Sequence, residues 1–183
     1  MLVYVFWHQP KAGVALDEYA GALLAFEAVF KAQGDVEDIQ SFRMESVPWF
    51  GGGAKVYADW YTMADSSKLD PVTQHAVTGP CEKPHHAIAA MTGSGAGSLY
   101  DITYPGCPID EARHSIWLSK PNGMSYADFR SKWSTLEVAG VCLLQRRMAL
   151  GPSPEFCVMS VEAVTLPEGL SGETRALAPI GQV

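Results

Sequence analysis

The segment Leu16–Phe30 is the feature that most constrains the fold, because it predicts an amphipathic helix with a carboxylate inside its apolar face. At about 100° per residue, Leu16, Tyr19 and Phe30 lie within about 40° of Leu23 on the helix surface. Glu27 falls about 40° from the centre of the same stripe, on the face that should be buried. A charged, unpaired carboxylate in that position would cost several kcal/mol. Glu27 therefore needs an explanation in any fold that this chain adopts.

A second segment, Met124–Gly140, repeats the arrangement. Trp133 takes the central position of its apolar stripe, and Glu137 again falls about 40° from the centre. Each helical segment is followed by an Arg-Met pair four residues before a proline, Arg43-Met44 before Pro48 and Arg147-Met148 before Pro152. The two segments predict a structural repeat built around the acid.

Composition limits the classes of function. Apolar residues make up 48% of the chain and charged residues 18%, which predicts a globular protein with a sizeable core. The net charge of −7 argues against nucleic acid and anionic membranes as partners. No signal peptide or membrane span is evident, and the four cysteines show no CxxC pattern. We expect a soluble cytoplasmic protein with free thiols.

The order of elements predicts an α+β fold. Apolar strands, the first helix and two short helical pieces give β-α-β-β-α-β, the ferredoxin-like plan, with strands predicted at Leu2–Trp7, Ile39–Val47, Lys55–Met63 and Ser98–Thr103. Two glycine-rich stretches, Pro48–Gly53 and Thr92–Gly97, are interpreted as connections. The second copy lacks a clear second helix and is interpreted as truncated. The predicted domains are 1–108 and 109–165, each a ferredoxin-like unit, followed by a C-terminal arm, 166–183.

Two motifs carry a resemblance to a known family. Residues 121–133, PNGMSYADFRSKW, and residues 57–61, YADWY, resemble the EthD-like group of the dimeric α+β barrel superfamily, over about residues 2–70 and 113–164. The resemblance implies two ferredoxin-like β-α-β-β units forming a pseudo-dimer, with pockets between helix and sheet. It also implies small cofactor-free enzymes acting on cyclic, aromatic or polyketide-like substrates. Where the group has a histidine one turn after the tryptophan, this chain has Glu137 and, in the first copy, Glu27, so a histidine mechanism at that place is not carried over.

Five residues are candidates for acid–base catalysis: Glu27, His8, Asp59, His85 and His86. Burial would raise the pKa of Glu27 and let it exchange protons near neutral pH. Alternatively, the edge of the stripe is exposed, or Arg43 neutralises Glu27. His8 ends the first strand, either beside a pocket or at the surface, and its side chain titrates near neutrality.

Asp59 lies on one strand face between Tyr57 and Tyr61, whose hydroxyls could hold a substrate while Asp59 acts as a base. The alternatives are a solvent-exposed face or an Asp59–Arg43 ion pair. Arg43 is also a candidate for binding a substrate carboxylate or an enolate. Further substrate-binding candidates are large aromatic residues that could equally belong to the core: Trp49, Trp60 and Trp133.

His75, Cys81, His85 and His86 lie within twelve residues, but their spacing matches no familiar metal-ligand pattern, so no metal is predicted. Adjacent helical residues point about 100° apart, which lets one of His85 and His86 face inward.

Three functions remain open. The first is a cofactor-independent lyase or isomerase of the decarboxylase, dehydratase or cyclase type, acting on a small cyclic, aromatic or polyketide-like substrate. The second is a non-catalytic protein of the same fold that binds a small ligand or acts in assembly, and the third is a cofactor-free or haem-assisted monooxygenase. We expect a small-molecule substrate and no cofactor, and a homodimer is one option because a short second unit would leave a strand edge unpaired.

Overall fold

The computed structural model describes residues 1–147 and 152–181, which divide into two compact units. Unit 1 consists of residues 1–97 together with the chain from residue 179, and unit 2 consists of residues 98–178. Among the described residues, no helix is both long and apolar enough to cross a membrane.

Unit 1 is ferredoxin-like. Its elements are β1 (Leu2–Pro10), α1 (Leu16–Lys31), β2 (Asp38–Val47), β3 (Phe50–Met63), α2 (Leu69–His75), α3 (Glu82–Met91) and the first half of β4 (Thr92–Pro105). The strand order is β4-β1-β3-β2, and β3 is antiparallel to both β1 and β2. The predicted α+β fold class is therefore confirmed.

Period-two alternation in β1 separates two faces of the unit 1 sheet. Val3, Val5 and Trp7 point to one face, and Tyr4, Phe6 and His8 point to the face covered by the helices. On α1, the predicted stripe is buried except for Leu16, which is exposed in the first turn, and Glu27 is buried with it. Acidic residues in the first turn and Lys31 in the last turn complement the helix dipole.

Two glycine-rich stretches form strands, so their prediction as connections is wrong. Thr92–Gly97 belongs to β4, and β3 begins at Phe50, which leaves a two-residue turn after Val47. The reason is steric in β4: a Cβ atom on Gly95 would lie 2.5 Å from Cζ of Phe6. An aromatic ring of the neighbouring strand fills the space above the glycines, so this strand needs residues without side chains.

Unit 2 contains the second half of β4, β5 (His114–Leu118), α4 (Tyr126–Trp133), β6 (Val141–Arg146), β7 (Phe156–Ser160) and β8 (Glu173–Ala176). The strand order is β8-β5-β7-β6-β4, and the described residues between β7 and β8 form no helix, as predicted. β8 nevertheless pairs with β5. The described part of unit 2 therefore has no second helix, but it does have a strand at the position beside β5. A two-residue strand, β9 (Ala178–Pro179), follows, and Ile180 donates its backbone N–H to the carbonyl of Ser41 on β2 at 3.0 Å.

The helix predicted over Met124–Gly140 is about half as long as predicted. α4 ends at Trp133, and a 3₁₀ turn over Ser134–Leu136 follows. A 3₁₀ turn rotates more per residue than an α-helix, so the angle calculated for Glu137 at about 100° per residue does not apply. Glu137 is exposed, and its predicted place on a buried face is wrong. Met148, part of the predicted repeat, lies outside the described residues.

Candidate functional site

A cavity of about 520 Å³ lies within unit 1, between the sheet and the helices. The sheet contributes Tyr4, Phe6, His8, Asp59 and Tyr61, and the first residues of β4 contribute Thr92, Gly93, Ser94 and Gly95. The helical wall is mostly apolar and consists of Leu23, Phe26, Phe30, Leu69, Val72, Thr73, His85, Ile88 and Ala89. This volume and this largely apolar lining are typical of small-molecule sites.

A histidine–aspartate pair forms the polar part of the sheet wall. The antiparallel register of β1 and β3 places Phe6 opposite Asp59, which brings the neighbouring side chain on the same face, His8, beside it. Nε2 of His8 lies 2.9 Å from Oδ2 of Asp59, and each residue is 1% exposed. The contact is an ion-pair distance without the alignment of a hydrogen bond, so Nε2 is held close to the carboxylate but is not directed at it.

A chain of hydrogen bonds fixes the protonation of the other ring nitrogen of His8. The Thr92 hydroxyl donates to the Ile88 carbonyl at 2.9 Å, and it lies 2.8 Å from the Tyr19 hydroxyl. For both bonds to form, Tyr19 must donate to Thr92, because each hydroxyl has one hydrogen. Nδ1 of His8, 2.5 Å from the Tyr19 oxygen, must then carry a proton and donate it. The proton that His8 gains and loses is therefore the one on Nε2, the atom beside Asp59.

A single serine hydroxyl connects two carboxyl groups. Ser41 lies opposite Asp59 in the β2–β3 register, with its Oγ 2.6 Å from Oδ1 of Asp59, and it also contacts Oε1 of Glu27. Ser41 has one hydrogen and can donate to one of the two, so the other contact needs a proton on a carboxyl group. Burial, followed by the charge of Asp59, raises the pKa of Glu27 to about 8, although the hydrogen bond to Ser41 lowers it. At neutral pH, Glu27 is thus the protonated member, and it donates to Ser41, which donates to Asp59.

Three tyrosines surround His8 and Asp59 and act as neutral hydrogen-bond donors. Tyr61 donates to Oδ2 of Asp59 at 3.2 Å, and burial raises the pKa of Tyr61 well above its ordinary value. Burial likewise raises the pKa of Tyr19 to about 12. Tyr57 packs against the His8 ring at 5.6 Å between centroids and donates to the carbonyl of Leu16 at 3.1 Å. Asp59 thus accepts from Ser41 and Tyr61 and lies beside His8.

The structure brings several of the predicted site residues together and separates others. His8, Asp59, Tyr61 and His85 line the cavity, and Glu27 and Tyr57 lie directly behind that lining. Five candidates lie elsewhere: exposed Arg43 and His86, Trp60 on the opposite face of β3, Trp49 against Trp7, and Trp133 in the unit 2 core. Arg43 is paired with Tyr57 in the strand register and does not neutralise Glu27, whose partner is Ser41.

Sequence reasoning missed Ser41, Tyr19 and Thr92 as parts of the site. Tyr19 was already on the predicted buried stripe of α1, but nothing local indicates that its hydroxyl meets a histidine on β1. Ser41 and Thr92 depend on strand register, which a single sequence does not fix.

The histidine–cysteine segment does not form a metal site. His75 contacts Asp35 at 2.5 Å, Cys81 is buried, and all four cysteines are free. In the part of the chain that the structure describes, no group of three or more His, Cys, Asp or Glu side chains could hold a metal ion.

No protein-family model matches the chain, and a search of curated proteins returns no match. Solved structures do match, and three of them cover nearly the whole chain. A protein of Fusobacterium nucleatum, provisionally assigned as a monooxygenase, has a TM-score of 0.60 at 11% identity, covering 98% of this chain and 92% of its own. A protein of Lactobacillus acidophilus with the same provisional assignment has a TM-score of 0.53 at 9% identity, covering 97% and 93%. A third protein, provisionally assigned as a chlorite dismutase, has a TM-score of 0.51 at 11% identity, covering 99% and 97%.

At these identities the likeness shows the fold alone. The neighbours are ferredoxin-like proteins of the dimeric α+β barrel type. The finer resemblance to the EthD-like group stays a prediction.

Proposed function

We propose that this protein is an acid–base enzyme of the lyase or isomerase type, acting on a small cyclic or aromatic compound. The observation that carries the proposal is the pairing of His8 with Asp59 on the wall of a largely apolar cavity. A buried pair of titratable groups in close contact at a cavity wall is a typical arrangement for proton transfer.

The geometry suits proton transfer between a carbon and an oxygen of the substrate. Asp59 accepts a proton from a carbon next to a carbonyl group, while the Nε2 proton of His8 passes to the carbonyl oxygen. An enol forms, and the two residues become neutral. Delivery of the proton held by Asp59 to a different carbon isomerises the substrate, and delivery to a hydroxyl leaving group releases water and dehydrates it. In both cases the enol hydroxyl returns its proton to Nε2 of His8, 2.9 Å from Oδ2 of Asp59, so both residues recover their starting charges.

The residues behind the pair hold it in place. Tyr19 fixes the ring of His8 and keeps Nδ1 protonated, as the triad aspartate does in serine hydrolases. Ser41 orients Asp59, and a neutral Glu27 avoids a second negative charge beside it. The aromatic lining lowers the local dielectric constant, which strengthens the interaction between the developing charges and these groups.

The test is proton exchange at carbon. A panel of cyclic ketones, including 1-tetralone, is incubated with the protein in D₂O, and loss of the α-proton signal is followed by NMR. We expect acceleration over buffer that falls about 10²- to 10⁴-fold in Asp59→Asn and in His8→Gln. Asp17→Asn, the same chemical change at an exposed position of α1, is the matched control and should exchange at the wild-type rate. Exchange at the buffer rate throughout the panel, or an unchanged rate in Asp59→Asn, would reject the proposal, and binding without exchange would favour a non-catalytic binding protein.

A cofactor-free monooxygenase is the second candidate, supported by the two structural neighbours provisionally assigned to that activity. The same proton removal would leave an electron-rich enolate able to react with O₂. Oxygen consumption that accompanies substrate loss would favour this function over a lyase or isomerase. The residues do not fit haem through His8, because Nδ1 is bonded to Tyr19 and Nε2 lies 2.9 Å from the Asp59 carboxyl group. Among the described residues that line the cavity, none is a Lys or Arg that would pair with the propionates. A homodimer also stays a proposal, which sedimentation of the purified protein tests.

A further inference from the structure

His85 is the one predicted acid–base residue that lines the cavity away from the His8–Asp59 pair. It lies on α3, in the helical wall, with its ring edge-to-face against Phe26 at 5.6 Å between centroids. Its Nδ1 atom is buried and makes no hydrogen bond. A buried polar atom without a partner carries a desolvation cost, which a ligand in the cavity would remove.

The cavity is also selective in charge. Of the described residues that line it, none is Lys or Arg, and the carboxyl groups of Asp59 and Glu27 lie on one side. His8 already lies against Asp59, so a carboxylate or phosphate ligand would lose its hydration without gaining an unpaired cationic partner, and anions should bind poorly. Most of the remaining lining consists of aromatic and aliphatic side chains, which favour a flat apolar ligand.

We propose that the cavity binds an uncharged aromatic ring compound through a hydroxyl group hydrogen-bonded to Nδ1 of His85. A hydroxyl group both donates and accepts, so it satisfies Nδ1 in either tautomer of the ring. His85 thereby determines which ligands bind and does not itself exchange protons with them. Burial, followed by the neighbouring His86, lowers the pKa of His85, which agrees with a neutral ring near pH 7. The inference rests on the cavity of the proposed function and deepens it by naming the ligand class.

The experiment compares three probes: 2-naphthol, naphthalene and 2-naphthoate. Their binding to the wild-type protein is measured by fluorescence titration at about pH 7. We expect 2-naphthol to bind about 5- to 10-fold more tightly than naphthalene, the ratio that one hydrogen bond supplies, and 2-naphthoate to bind more weakly than 2-naphthol. In His85→Phe the preference for 2-naphthol over naphthalene should disappear.

Two further variants keep the test sharp. His86→Phe makes the same change at the exposed neighbour and should leave the preference intact. His85→Gln retains a hydrogen-bonding group and should recover part of it, which separates a lost contact from a disturbed cavity. The proposal is overturned if 2-naphthol does not bind the wild-type protein, if His85→Phe keeps the wild-type preference, or if 2-naphthoate binds as tightly as 2-naphthol.

These measurements need no turnover and are therefore independent of the exchange assay. A preference for 2-naphthol that depends on His85, without ketone exchange, would leave this inference standing and reject the proposed function. Exchange that depends on Asp59, together with an unchanged preference for 2-naphthol in His85→Phe, would leave the proposed function standing and reject this inference.

Discussion

Replacing Glu27 by glutamine should make the protein more stable at alkaline pH and leave it nearly unchanged at acidic pH. The folded chain holds the Glu27 proton up to a pKa of about 8, whereas the ordinary glutamate pKa of 4.5 applies to the unfolded chain. Between these two values the folded state binds more protons than the unfolded state, so the free energy of unfolding falls as the pH rises. At 1.36 kcal/mol per pH unit, this loss amounts to about 5 kcal/mol at most.

Glutamine removes this loss because it has no proton to release. Its amide N–H can donate to Ser41 in place of the carboxylic acid, so at about pH 5 the two proteins should have similar stability. Above about pH 8, Glu27→Gln should be more stable by several kcal/mol, up to that limit. Urea unfolding at a series of pH values measures the difference directly.

Glu18→Gln is the matched control, since Glu18 is an exposed carboxylate on the same helix. Its stability should stay within about 1 kcal/mol of the wild-type curve at every pH, because only its interaction with the helix dipole is lost. Parallel curves for wild type and Glu27→Gln would show that Glu27 is ionised in the folded protein, and the proton assignment along Glu27, Ser41 and Asp59 would then be wrong.

Three further predictions follow from individual contacts. Tyr19→Phe should cost about 1–3 kcal/mol of stability and shift the pH–rate profile of exchange, because Nδ1 of His8 loses its acceptor; a profile identical to the wild type would contradict the assigned tautomer. Gly95→Ala should destabilise by about 1–3 kcal/mol through overpacking, whereas Gly21→Ala, on an open helix surface, should stabilise by up to about 1 kcal/mol, and equal effects in thermal unfolding would disprove the steric argument. Trp133→Ala should lower the free energy of unfolding in urea by about 3–5 kcal/mol, since Trp133 belongs to the unit 2 core, and should leave 2-naphthol binding unchanged. Weaker 2-naphthol binding to a folded variant would show that Trp133 contributes to the site.

The sequence was most informative where a pattern is local. The α1 stripe, its buried acid and the alternation that places Tyr57, Asp59 and Tyr61 on one face can be read from spacing alone. The contacts that give these residues a chemical role are not local. Ser41 reaches Asp59 through the β2–β3 register, and no composition rule indicates that pairing.

The prediction for the glycine-rich start of β4 was wrong for a different reason. Glycines are common in turns because of their conformational freedom, and Thr92–Gly97 was interpreted on that basis. In the fold, two of these glycines are required by the rings of Phe6 and Tyr4, which occupy the positions where side chains would be. Both rings line the cavity together with Gly93, Ser94 and Gly95, so a stretch that looked like a linker shapes the site.

The two units also explain why an apparent repeat in sequence need not repeat a site. In unit 1, α1 runs for 16 residues and carries Glu27 over the sheet, where Ser41 and Asp59 receive it. In unit 2, α4 stops after 8 residues, and Glu137 is exposed beyond its end. The space beneath α4 is filled instead by Phe129, Trp133 and Phe156, whose rings lie 4.4 to 5.6 Å apart between centroids. A packed aromatic core stabilises unit 2, whereas the cavity on which the proposed chemistry rests lies in unit 1.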